Sequence, residues 1–166
     1  MQNLIDAPEL KRLLSSDQET GEFRLRVSRR GHVKAGDLAG TSSPDGYRRI
    51  FINGKPYLAH RLAWFYIFRE WPETEIDHKN TDHGDNSICN LRKATRSQNE
   101  ENKSRRADNT SGYKGVRWRN DIQKYEARIR IAGKQITIGC FECPIVANTA
   151  YAEIARSLFG EFARAH

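Results

Sequence analysis

No apolar run in this chain is longer than seven residues, Leu62 to Phe68. A membrane-spanning helix needs about 20, so none is expected. The N-terminus carries Asp6 and Glu9 where a secretory signal would place a basic stretch and then an apolar one, so the protein is not expected to be secreted. Cysteine is scarce and odd in number: Cys89, Cys140 and Cys143. Without an export signal these read as reduced thiols of an intracellular protein. A second CxxC pair is missing, and Cys143 falls where a helix cap belongs, so a zinc ribbon is not expected. Internal repeats and low-complexity blocks are absent as well.

The chain has 166 residues, enough for one ordinary domain or two small ones. It is polar, with a mean hydropathy of -0.78, yet its 3 Trp, 6 Tyr and 7 Phe argue against disorder. The net charge of +7 is unevenly spread: +3 over residues 1–60, -1 over 61–103 and +5 over 104–166. Basic ends suit a polyanion, and a centre leaning acidic could hold a cation.

Apolar spacing at Leu4, Ile5, Leu10, Leu13 and Leu14 predicts a helix within residues 1–20. Alternation from Glu22 to Val27 predicts a strand, and Asn53-Gly54 between apolar runs predicts a hairpin. Arg61 to Arg69 reads as a buried helix. Glu75 to His78 and Leu91 to Thr95 read as strands around a polar loop, followed by a helix over Ser97 to Arg105. The composition of 107–112 is that of a linker. Beyond it, strands are expected over 113–119, 125–131 and 135–141, then a helix beginning at Pro144 and capped by Gly160.

Chemistry is suggested first at Asp77-His78. Neighbours on a strand point to opposite faces, which invites a division of labour: the carboxylate binds a cation and the imidazole handles a proton. Asn99, twenty-two residues on, falls on the helix that could return to Asp77. Two hard oxygen ligands suit Mg²⁺ or Mn²⁺ with waters and a substrate phosphate, and suit zinc poorly.

The run HRLAWFYIFREWPETEIDHKNTDHGDNSICNLRKATRSQN, from His60 to Asn99, resembles the HNH (ββα-metal) homing endonucleases of phage and intron origin. The resemblance implies an α+β fold with a ββα-metal nuclease core, one Mg²⁺ or Mn²⁺ per active site and no zinc. It makes His78 the general base, Asp77 the first metal ligand, and Asn90 the central asparagine that braces the loop. Asn99 stands at the last histidine of the HNH name, as in a phage homing subgroup. A turn role for Asn86 and a helix-surface role for Asn102 are the favoured readings. His60 is open between a phosphate contact and packing, and His83 reads as a solvated loop residue.

In the last segment, strand alternation sets Val116, Trp118, Tyr125, Ala127, Ile129, Ile131, Ile136 and Ile138 on one face. Arg117, Arg119, Arg128 and Arg130 are expected on the other, with net charge +6 from Arg105 to Lys134. A basic sheet of three strands can enter a major groove. The segment NTSGYKGVRWRNDIQKYEARIRIAGKQITIGCFECPIVANTAYAEIARSLFG resembles the Apetala/ethylene-response-factor DNA-binding domain. That resemblance puts DNA contacts on Lys114, Arg117, Arg119, Arg128, Arg130, Gln135 and Thr137. The plant domains usually have Glu and Trp where Arg128 and Thr137 stand, so their target sequence does not transfer. Trp118 is expected to pack under the helix.

Together these readings give a supporting segment over 1–60, a nuclease unit over 61–106, a linker over 107–112 and a three-stranded sheet packed on one helix over 113–166. The expected activity is hydrolysis of duplex DNA to 5′-phosphate and 3′-hydroxyl ends, by a monomer or weak dimer in a host cytoplasm. The alternative is a regulator that binds DNA through an inactive HNH fold.

Overall fold

The computed structural model describes residues 4–29, 31–103 and 108–164. The chain is mixed α and β and divides into two compact units, Met1–Lys93 and Ala94–His166. Among the described residues there are four α-helices and several small sheets, and no helix is long and apolar enough to cross a membrane.

In the first unit, α1 (Ala7–Leu13) starts where the Asp6 carboxylate accepts the Glu9 amide at 2.8 Å. It ends sooner than the apolar spacing suggests, because Leu14–Ser16 leaves the helix as β1 and pairs antiparallel with β2 (Phe23–Leu25). Strand pairing buries Leu14 completely, which outweighs a further turn of exposed helix. The β1–β2 connection passes through Gly21 at φ 71°, where a Cβ would lie 2.0 Å from the Asn86 carbonyl carbon. Only glycine permits that approach, and beside it the Ile88 amide donates to the Gln18 carbonyl at 3.2 Å.

β3 (Thr41–Ser42), β4 (Arg48–Ile52) and β5 (Lys55–Leu58) form an antiparallel meander. The expected Asn53-Gly54 hairpin is present, both residues at positive φ as the tight turn requires. α2 (Ala59–Phe68) follows and stops at Arg69 in the left-handed region. β6 (Glu75–His78) and β7 (Leu91–Ala94) make a two-stranded sheet. Leu10, Leu14, Phe23, Ile50, Ile52 and Leu62 are at most 1% exposed, and with Ile76 and Leu91 they make one core. The start of β6 is thereby fixed from below.

In the second unit, α3 (Arg96–Asn102) opens on a capping box between Thr95 and Gln98. The expected continuation of this helix to Arg105 falls partly on 104–107, outside the described residues. β8 (Val116–Arg119), β9 (Lys124–Ile131) and β10 (Lys134–Phe141) form an antiparallel sheet in the order β10-β9-β8. α4 (Pro144–Phe159) covers it with Ala147, Tyr151 and Ala155 against Val116, Ala127 and Ile129. Two strand residues depart from the expected packing. Trp118 is 38% exposed and lies edge-on to Tyr125 at 4.7 Å, outside the buried cluster under the helix. Ile136, on edge strand β10, is 45% exposed.

The stretch that reads as a linker is bonded to the sheet where it is described. Ser111 Oγ donates to the Val116 carbonyl at 2.8 Å, and Asn109 Nδ2 to the Tyr113 carbonyl at 2.9 Å. α3 is tied in as well: buried Glu101 accepts from the Tyr151 hydroxyl and pairs with Lys114 at 3.1 Å.

Candidate active site and nucleic-acid interface

His78 ends β6 and is only 2% exposed; Asp77 beside it is 4% exposed. The chain turns at once, the Thr81 amide donating to the His78 carbonyl at 2.9 Å. Asn90 braces the loop that follows. Its Oδ1 accepts the Asn80 amide at 3.0 Å, its Nδ2 donates to the Asp85 carbonyl at 2.8 Å, and its carbonyl accepts the Lys79 amide at 2.9 Å.

That bracing delivers Asn86 to His78, with Asn86 Oδ1 lying 3.2 Å from His78 Nε2. Asn86 Nδ2 donates to the Gly84 carbonyl at 3.0 Å, which fixes which end of the amide faces the ring. An acceptor at Nε2 keeps the proton there, so the neutral ring carries its lone pair on Nδ1. Burial lowers the His78 pKa below the ordinary histidine value and outweighs the opposing Asn86 bond. The imidazole is therefore a neutral proton acceptor at physiological pH. Asn86, which reads from sequence as a turn residue, is 3% exposed and holds this ring. Seven residues of turn-forming loop separate the two, and no local pattern announces the contact.

Tyr47, His60 and His83 wall the same imidazole. His60 meets it edge-on at 5.0 Å between ring centroids, and Tyr47 lies 5.9 Å away. His83 stacks on Tyr47 at 4.0 Å, and its Nδ1 lies 2.9 Å from the Asp45 carbonyl. It is thus half-buried and docked on the β3–β4 turn, where the sequence predicts a solvated residue. His60 is 5% exposed; burial first, then His78, lowers its pKa from 6.5 to about 3.

The unfolded chain therefore binds a proton at this residue below about pH 6.5, while the folded chain resists until about pH 3. Stability is full above that window and falls through it by up to about 1.4 kcal/mol per pH unit. Denaturant unfolding of the full chain between pH 7 and 4 should show this slope, and His60→Phe should flatten it. Equal slopes in the two proteins would exclude His60 as the source.

The Asp77 carboxylate receives Arg92 Nε at 2.8 Å on Oδ2, a buried ion pair across the β6–β7 ribbon. Arg92 belongs to the N-L-R stretch after the loop, but nothing local in the sequence names Asp77 as its partner. Among the described residues no group of three His, Cys, Asp or Glu is arranged to hold a metal ion. The donor chemistry still fits Mg²⁺ or Mn²⁺, because such ions take one or two protein oxygens and draw the rest from water and phosphate. Asp77 offers the anionic oxygen. Asn99 lies on α3, in the second unit.

In the C-terminal module, register pairs Arg117 with Glu126, Arg128 with Thr137 and Arg130 with Gln135 on the face away from α4. Arg117, Arg128, Arg130 and Gln135 line one open cleft of about 460 Å³. Lys114 and Glu101 line the same cleft, where they pair with each other at 3.1 Å and the Lys114 side chain is 13% exposed. The face is not uniformly basic: Glu126 stands among the arginines, 4% exposed.

Residues 57–101, from β5 through most of α3, match the model of a family described as HNH endonuclease. No curated protein and no solved structure matches the chain. The match takes in Asp77, His78, Asn86, Asn90 and Asn99, and supports an HNH nuclease. It ends before the C-terminal sheet.

Proposed function

We propose that the protein is a divalent-metal-dependent DNA endonuclease of the homing type, reading its site with the C-terminal sheet and leaving 5′-phosphate and 3′-hydroxyl ends. The observation that carries this reading is His78, held through Nε2 by Asn86 at the end of a buried strand, inside the segment that matches HNH endonucleases. His78 takes a proton from water at Nδ1, and the resulting hydroxide attacks phosphorus. Asn86 fixes the tautomer and ring plane, and Asn90 holds the loop that carries Asn86. Asp77 would hold the cation, with Asn99 assigned to the same role by the resemblance. The cation supplies charge neutralisation at the scissile phosphate and the departing 3′ oxygen.

Incubation with supercoiled plasmid tests the activity. Open circles should form with Mg²⁺ and not with EDTA. Binding without nicking at any divalent ion would point to the inactive-fold regulator, and cleavage of single-stranded RNA alone would move the substrate class.

The ligands are tested by calorimetric Mn²⁺ titration. Asp77→Ala would remove the carboxylate that Arg92 Nε bonds in a largely buried pair, a loss that confuses folding with binding. Asp77→Asn keeps a hydrogen-bonding partner for Arg92 and removes only the charge. Asp77→Asn and Asn99→Ala should both weaken Mn²⁺ binding and abolish cutting. Unchanged affinity in either removes that residue as a ligand.

A further inference from the structure

Four arginines share the open face of the C-terminal sheet, but their bonding separates them. Arg119 is consumed by the protein. Its Nε and Nη2 reach Asp121 at 2.7 and 2.5 Å, and its Nη1 reaches Glu126 Oε1 at 3.0 Å. Arg117 is bonded through Nε alone, to Glu126 Oε2 at 2.5 Å, and its side chain is 46% exposed. Its Nη1 and Nη2 have no partner among the described residues. Thr137 Oγ1, from the opposite neighbouring strand, also reaches Glu126 Oε1, at 3.3 Å. The carboxylate is thus fixed on both oxygens from β8 and β10 while its own strand lies between them. Burial raises its pKa, but the bonds to Arg117 and Arg119 more than offset this and hold it ionised.

A buried acid in the middle of a DNA-facing surface costs affinity, since it repels phosphate. It is explained if it fixes something worth more than the repulsion. A free arginine side chain loses rotamer entropy when it is ordered. One anchored at Nε has its guanidinium plane already set, with the Nη pair directed outward. Two parallel N–H donors in one plane match the O6 and N7 acceptors of guanine in the major groove.

We infer that Glu126 is a specificity-determining positioning residue: it orients Arg117 to read a guanine, while Arg119 and Thr137 hold Glu126 in place. This rests on the reading of the sheet as a DNA-binding surface.

The test uses the full chain and a pool of randomised duplex DNA. Sequences enriched by the wild-type protein define a selected duplex, and a scrambled duplex of equal composition is the reference. The readout is the ratio of the two affinities, with its salt dependence. In Glu126→Gln the scrambled duplex should bind as well or better, because a negative charge has gone. The selected duplex should bind more weakly, so that discrimination falls about tenfold, the scale of one bidentate base contact. Arg117→Lys keeps the charge and loses the planar fork, and should lose the same discrimination. The double mutant should lose no more than either single mutant, because Glu126 acts through Arg117.

Arg117→Lys also serves should Glu126→Gln fail to fold. An unchanged ratio in a folded Glu126→Gln, or in Arg117→Lys, overturns the assignment. Additive losses in the double mutant overturn it too. If the wild-type protein enriches no sequence at all, the sheet as a sequence reader fails, and this proposal with it.

Discussion

His78→Ala should lose DNA cleavage by about 10²-fold or more while DNA binding stays near that of the wild-type protein. The expectation rests on the state of the ring rather than on its type alone. It is buried at a strand end, kept neutral, and given one tautomer by Asn86. On the proposed mechanism its removal leaves the water with no base, whereas the groups proposed to bind DNA lie elsewhere.

Two Asn86 variants sharpen the assignment. Asn86→Ala leaves the base in place but releases its orientation, so cleavage should fall by less than in His78→Ala. Asn86→Asp substitutes a charged acceptor at Nε2, which favours the imidazolium. The acid limb of the cleavage profile should then move to higher pH. Single-turnover rates across pH measure both effects. Wild-type rates in His78→Ala would end the assignment of the base, and an unmoved acid limb in Asn86→Asp would end that of its partner.

Ile129→Asp should unfold the C-terminal module, with loss of its circular dichroism signal and of sequence-specific binding. Ile129 is 2% exposed and packs with Val116, Ala127 and Tyr151. The substitution loses about 2–4 kcal/mol of packing and buries a charge with no partner, a further several kcal/mol. A unit of this size holds only roughly 4–11 kcal/mol in all. Its strand neighbours Arg128 and Arg130 point to the other face, so their alanine variants should keep the fold and change only binding. Removing an arginine that binds phosphate would flatten the salt slope by about one, and removing one that reads a base would relax specificity at one position. A folded Ile129→Asp with arginine variants that bind normally would mean that the strand faces are reversed.

Much of this was legible in the sequence, for local reasons. Period-two alternation identifies the strands of the C-terminal sheet and their two faces, because adjacent side chains must diverge. Asn-Gly marks a hairpin because both residues tolerate positive φ, and Pro144 opens α4 because a first-turn residue needs no amide donor. Asp77, His78, Asn90 and Asn99 stand out through a resemblance that the family match over 57–101 supports at the level of an HNH nuclease.

What the sequence could not assign are partnerships between residues distant along the chain. Asn86 becomes the partner of His78 only because Asn90 closes the loop and Gly21 admits the Asn86 backbone. Arg92 meets Asp77 only because β6 and β7 lie side by side. Glu101 reaches Lys114 and Tyr151 only once α3 and α4 belong to one unit. The four arginines of the sheet are equivalent as a pattern, and the bonds of Glu126 and Asp121 make them unequal. Local sequence sets backbone conformation and the side of a strand, because those depend on near neighbours and on burial. Which buried polar atom satisfies which depends on loop closure in three dimensions, and in this protein that decides the tautomer of His78 and which arginine of the sheet keeps its terminal donors unbonded among the described residues.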